Sequence, residues 1–129
     1  ELNIKHLKDL KFNNLSSGQK QIIILTIALL NSPDVLLIDE PYNHLDLKYK
    51  VLFKDILQKL MIKGITVILV THDISDISTE FQKVILMRNG FIYKFGKAEE
   101  VINSSNISEL INHQVEVELI KNNWFVTKK

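Results

Sequence analysis

The chain has 129 residues, a hydrophobic fraction of 46%, a charged fraction of 24% and a formal net charge of +1. These are the values of an ordinary globular protein, sized for one small domain or part of a larger one, and the near-neutral balance supplies no electrostatic basis for a nucleic-acid partner. The absence of cysteine excludes a disulfide framework and a thiolate metal site, and it suits a reducing compartment.

The first residues are charged and polar, unlike a signal peptide, and the chain opens on Glu1 rather than Met, so a fragment or a processed chain is expected. Leu2, Ile4, Leu7 and Leu10 fall at helix-like spacing, which predicts a short amphipathic helix and a loop over Glu1 to Asn14. Ser17 to Leu30 is apolar-rich, without Pro or internal Gly beyond Gly18, and predicts a buried helix closed by Asn31-Ser32-Pro33. Its longest apolar run, Ile22 to Leu30 interrupted by Thr26, is well short of the ~20 residues of a membrane span. Val35 to Ile38 is a short continuous apolar run, the pattern of a central parallel strand covered on both faces.

Leu47 to Lys63 returns to helical spacing, with Val51, Leu52, Ile56, Leu57 and Leu60 expected inward and Gly64 as the stop. Ile65 to Val70 predicts a second buried strand, and Ile74 to Phe81 a short helix. Lys83 to Arg88 and Phe91 to Phe95 flank Asn89-Gly90, the dipeptide that a tight type I′ hairpin turn prefers. Two helical turns (Ala98 to Ile102 and Ile107 to Asn112) and a strand pair around Asn122-Asn123 complete the chain. The strand–helix alternation places the chain in the α/β class. No linker, low-complexity tract or internal repeat interrupts it.

Three polar clusters lie where an element end would present them. Leu15-Ser16-Ser17-Gly18-Gln19 stands immediately before the first long helix. A helix N-terminus carries unpaired N–H groups and partial positive charge, which suits a phosphate; Ser before a good helix is equally an ordinary N-cap. Asp39-Glu40, followed by Pro41, closes the apolar strand, and ligands of α/β sheets gather at the carboxyl ends of strands. Neighbours on a strand point different ways, so Asp39 can hold a hydrated Mg²⁺ while Glu40 accepts a proton from an attacking water. The bland counterpart is a solvated strand end with a helix-capping acid. Thr71-His72-Asp73 ends the next strand; a His there can reach a neighbouring phosphate, although a structural His bonded to backbone is the better reading of that motif alone. In Asn43-His44-Leu45-Asp46, Asp46 is also a ready N-cap for the following helix.

Taken in order, these segments resemble the ABC-type ATPase family over nearly the whole of Leu15 to Val101. Leu15 to Gln19 resembles its signature motif, Val35 to Asp39 its Walker B strand, Glu40 its catalytic carboxylate, Asn43 to Asp46 its D-loop and His72 its switch histidine. The chain departs from the pattern with Ser17 in place of Gly and Tyr42 in place of Thr. The phosphate-loop pattern G-x-x-x-x-G-K-[ST] is absent: of the four glycines Gly18, Gly64, Gly90 and Gly96, only Gly96 precedes Lys, and Phe91 stands where the earlier Gly is needed. That loop and the family's glutamine loop are expected N-terminal to Glu1.

The resemblance implies a partial P-loop NTPase fold, with a layered, mostly parallel sheet, flanking helices and a C-terminal hairpin. Residues 1–31 would be the end of the helical subdomain, and 32–129 the C-terminal part of the catalytic core. It implies ATP and Mg²⁺ as cofactors, and a head-to-tail dimer in which Ser16, Ser17, Gly18 and Gln19 serve the nucleotide of the opposite subunit. Ser16 and the Gly18 amide would meet the γ-phosphate, with Asp46 at the dimer interface. Asp39 would bind Mg²⁺ through water, Glu40 would polarise the attacking water and His72 would hold the γ-phosphate. The partners implied are a second ATPase domain and integral membrane permease subunits, with the ATPase peripheral on the cytoplasmic face and no nucleic acid.

Transport is favoured over an SMC-type chromosome or DNA-repair ATPase. No heptad pattern precedes the signature-like loop, and Lys83 to Val101 is similar to the ending of transporter ATPases. Val115 to Ile120 further resembles ATPases of iron–siderophore, haem and cobalamin importers, although alternating Val and Glu is also the pattern of any half-exposed strand. A non-catalytic regulatory module is disfavoured because Glu40 and His72 are both present.

Overall fold

A computed structural model describes residues 7–128. They form two compact units, residues 7–71 and residues 72–128. No described helix is long and apolar enough to cross a membrane.

The first unit begins with short 3₁₀ turns, one of them Phe12–Asn14. The helix expected over Glu1 to Asn14 therefore has no counterpart from Leu7 on, and its first six residues lie outside the described ones. Helix α1 (Ser17–Leu29) follows, then strand β1 (Val35–Asp39), helix α2 (Leu47–Ile62) and strand β2 (Thr66–Val70). β1 and β2 pair in parallel, with Val35 opposite Thr66 and Asp39 opposite Val70, so β1–α2–β2 is one crossover unit. Gly64, at φ +88°, ends α2 in the left-handed conformation that Gly adopts without steric cost.

Burial in this unit is one-sided. On α2 the buried stripe is Phe53, Ile56 and Leu57, at the spacing of one helix face. Val51 and Leu52, expected inward, are 52% and 40% exposed. The reason is angular: Phe53 and Leu57 centre the stripe, and Val51 and Leu52 fall off its edge. On α1 only Gly18, Ile22 and Leu25 are buried, while Ile24, Ile27 and Leu30 are exposed. β1 buries Leu36 but leaves Leu37 69% exposed. The expectation of a fully buried helix and of a strand covered on both faces is thus replaced by one covered face and one open apolar face.

The second unit contains a 3₁₀ turn (Ile74–Asp76), strands β3 (Lys83–Arg88) and β4 (Phe91–Lys97), helices α3 (Ala98–Val101) and α4 (Ser104–Ile111), and strands β5 (Val115–Ile120) and β6 (Asn123–Lys128). β3 and β4 form an antiparallel hairpin whose turn residues Asn89 and Gly90 have φ +52° and +81°, the two positive values of a type I′ turn. β5 and β6 form a second antiparallel hairpin around Lys121-Asn122. Among the described residues the strands thus form three two-stranded sheets, the β1–β2 pair parallel and the other two antiparallel hairpins, in place of the expected mostly parallel sheet. The core of the unit is Val84, Leu86, Ala98, Val101, Ile102, Ile107, Val115 and Trp124. The Ser108 hydroxyl accepts from the Val115 N–H at 3.0 Å and so joins α4 to β5.

The helix expected from Ile74 to Phe81 is a single 3₁₀ turn. Beyond Asp76 the chain pairs with β6: Ser78 bridges Asn123 and the Thr79 N–H donates to the Asn122 carbonyl at 3.0 Å. Strand-type pairing has overridden local helical spacing there. α4 begins at Ser104 rather than Ile107, because the Asn103 side chain accepts from the Asn106 N–H at 2.9 Å as an N-cap.

Candidate functional site

The sequence places Ser16 before α1, and the structure makes it the N-cap. Its hydroxyl accepts from the Gln19 N–H at 3.3 Å while the Gln19 side chain accepts from the Ser16 N–H at 2.9 Å, a reciprocal capping box. Two orphan donors of the helix start are satisfied in this way. Ser16 and Ser17 are exposed and Gly18 is buried, at the positive end of a helix.

The loop joining β1 to α2 lies against this helix start. Ser17 donates its hydroxyl to the His44 carbonyl at 2.7 Å. Asp46 caps α2 by accepting from the Tyr49 N–H at 2.9 Å, and Tyr49 in turn packs on Gly18. A Cβ at residue 18 would overlap the Tyr49 ring and come within 2.8 Å of its Cβ. Gly18 is therefore required for close approach. Gly18→Ala should destabilise the fold by about 1–3 kcal/mol, the usual range for overpacking, read as a shift in denaturation midpoint. An unchanged midpoint would mean that Tyr49 swings aside.

Asp39 and Glu40 follow at the carboxyl end of β1. Asp39 is exposed and Glu40 half-buried. The Glu40 N–H donates to the Val70 carbonyl at 2.9 Å, carrying the β1–β2 ladder one residue further. Its φ is +43°, a left-handed conformation that costs a non-glycine residue roughly 1–2 kcal/mol. The backbone turns there so that the loop leaves the sheet, and the Asn43 side-chain amide donates to the Glu40 carboxylate. Pro41 is fully buried. Tyr42 is buried too and stands edge-on to Phe53 with ring centroids 5.6 Å apart. This departure from the family pattern is thus a packing residue beneath the loop.

Ser16, Ser17, Gly18, Gln19, Asp39, Glu40 and Asp46 all belong to the first unit. His72 opens the second unit, exposed, directly after Thr71; the Asp73 side chain beside it accepts from the Ser75 N–H at 2.9 Å. Two residues of the site were not singled out from sequence for what they do. Asn43 was legible only as part of a polar loop, and Tyr49 gave no signal, because its role depends on a glycine 31 positions earlier.

Chemically, the first unit presents the hydroxyl of the exposed Ser16 at a helix N-terminus and, across the loop, two adjacent carboxylates at a strand end. The exposed Asp39 carboxylate is open to a hard cation, which takes oxygen ligands, and the helix start is open to phosphate oxygens. The residues present fit Mg-ATP from this side.

Over residues 1–75 the chain matches the family model described as "AAA domain, putative AbiEii toxin, Type IV TA system". It is 34% identical over 125 residues to the macrolide export ATP-binding/permease protein MacB of Campylobacter jejuni, covering 97% of this chain and 19% of that protein. It is 30% identical over 122 residues to the petrobactin import ATP-binding protein YclP of Bacillus subtilis, covering 94% of this chain and 48% of that protein. The chain thus spans less than half the length of these relatives. Among solved structures it superposes on an inward-facing "putative metal-chelate type ABC transporter" with a TM-score of 0.83 at 27% identity, covering 96% of this chain and 50% of that one.

Proposed function

The chain belongs to the ATPase family that these matches share, the AAA-domain model over residues 1–75 and ABC transporter ATP-binding proteins over nearly its whole length, and from that premise we propose that it is the ATP-hydrolysing part of a membrane transporter. The observation that carries the reading is the docking of Ser16–Gln19 on the loop bearing Glu40, through Ser17 to His44 and Gly18 to Tyr49. A signature-like helix start and a Walker-B-like strand end form one assembled surface within the first unit.

On this reading Glu40 accepts the proton of the attacking water, and Asn43 orients its carboxylate. Asp39 holds Mg²⁺ through water, and the ion neutralises triphosphate charge when it is bound. Ser16, Gly18 and Gln19 meet the nucleotide of a second ATPase domain, Asp46 lies at that interface, and His72 contacts the γ-phosphate. Residues 1–31 close a helical subdomain and 32–129 continue the catalytic core. The partners are a second copy of the ATPase domain and an integral permease, with the ATPase on the cytoplasmic face of the membrane.

Import of an iron complex is the cargo class we favour. Its support is the likeness to a petrobactin importer and to a metal-chelate transporter; the macrolide export protein matches as much of the chain at slightly higher identity, so export is the rival direction. The full-length protein should co-purify with a membrane permease that changes its ATPase rate. Tight binding to duplex DNA that weakens steeply with salt, with no permease, would replace transport by a chromosome-type ATPase.

A further inference from the structure

We propose that Ser17 is a positioning residue: by donating its hydroxyl to the His44 carbonyl it holds the β1–α2 loop so that Glu40 stays placed for proton transfer. The inference rests on the reading of Glu40 as proton acceptor. Ser17 and His44 are 27 residues apart and their bond is 2.7 Å long, within the best range for a hydroxyl donor.

The loop that this bond reaches needs a tie. Both Glu40 and His44 are non-glycine residues in the left-handed region, at φ +43° and +61°, and such conformations persist only where surrounding contacts over-determine them. Asn43 lies directly before the anchored His44, and its amide donates to the Glu40 carboxylate. The anchored carbonyl fixes the peptide between residues 44 and 45, and with it the left-handed turn at His44 that directly follows Asn43; Asn43 in turn aims Glu40. At the far end of the loop, Asp46 is held by the Tyr49 N–H, and Tyr49 packs on Gly18. The start of α1 thus holds the loop at His44 through a polar bond and the first turn of α2 at Tyr49 through an apolar contact.

The hydroxyl carries a single proton. Donated to His44, it cannot also be donated to a phosphate oxygen. Ser17 is therefore set apart from Ser16, whose hydroxyl acts only as an acceptor for Gln19 and keeps its proton for a ligand. Glycine at residue 17, which the family pattern carries, could not make the bond. The dependence on a hydroxyl is a property of this chain.

The effect should appear in turnover rather than in nucleotide affinity, because what changes is the fraction of time the carboxylate is in place. In the full-length protein, Ser17→Ala should lower kcat for ATP about fivefold, the range of one net hydrogen bond, with KM within about twofold of the parent. Ser17→Thr, which keeps the hydroxyl, should restore kcat. Ser17→Ala combined with Asn43→Ala should be no slower than Asn43→Ala alone, since both act through one route. Ser17→Gly serves the same comparison if the alanine variant does not fold. Glu40→Gln is the control. If Glu40→Gln is inactive and Ser17→Ala turns over at the parent rate, or raises KM with kcat unchanged, the positioning role is overturned. If Glu40→Gln itself keeps the parent rate, the failure lies in the reading of Glu40.

Discussion

Replacing Glu40 by Gln in the full-length protein should lower ATP turnover by ~10²-fold or more and leave Mg-ATP binding nearly intact. The amide has the shape of the carboxylate and can still accept from the Asn43 amide, so the loop keeps its tie. What is lost is the ability to take a proton. The backbone of Glu40 is held by its N–H bond to Val70, which keeps the substitution local. Steady-state ATPase assays beside equilibrium nucleotide binding separate the two effects, and parent-rate hydrolysis by the variant would remove Glu40 from the mechanism. His72→Ala should lower turnover similarly; normal turnover would return His72 to a structural role.

What was legible in the sequence is what neighbouring residues decide among themselves. Asn89-Gly90 turns β3 into β4 because two adjacent residues tolerate positive φ. Ser16 and Gln19, three apart, build a capping box with no help from elsewhere. Elements set by distant partners were not legible. Ser78 pairs with Asn123, so the apparent helix after Ile74 opens into a bridge that no local spacing announces. The α2 stripe was misjudged by a fraction of a turn, because Val51, Leu52 and Phe53 are all apolar and only the packed partner selects Phe53.

The candidate site follows the same division. Residue types and order pointed to Asp39, Glu40 and the Ser16–Gln19 loop, since strand ends and helix starts are where such chemistry sits. How the segments are held to one another was invisible. The bond from Ser17 to His44 spans 27 residues, and the close approach of Tyr49 to Gly18 spans 31. The open apolar face of β1 was misread for a related reason. A run as apolar as Val35 to Ile38 has the composition of a strand covered on both sides, but the described residues cover only the side of Leu36.

The 129-residue chain by itself should bind Mg-ATP no better than roughly millimolar, about 4 kcal/mol, and should show no measurable hydrolysis. Tight triphosphate binding in P-loop ATPases draws on a run of backbone N–H groups and a Lys that together neutralise the β- and γ-phosphates, and the sequence contains no G-x-x-x-x-G-K-[ST]. The groups that are present oppose a bare triphosphate: Asp39 and Glu40 add two negative charges at the end of β1 and can help only through Mg²⁺. The helix start at Ser16 offers a few donors, but the N–H groups of Ser16 and Gln19 are already spent on the capping box. Exposed apolar side chains such as Leu37, at 69%, and Phe91, at 78%, should also drive the chain to self-associate. Association alone would not supply the missing phosphate ligands. Calorimetric titration of the purified chain is the measurement. Micromolar affinity, or turnover that Glu40→Gln abolishes, would mean that this chain binds and hydrolyses a triphosphate without a G-x-x-x-x-G-K-[ST] loop.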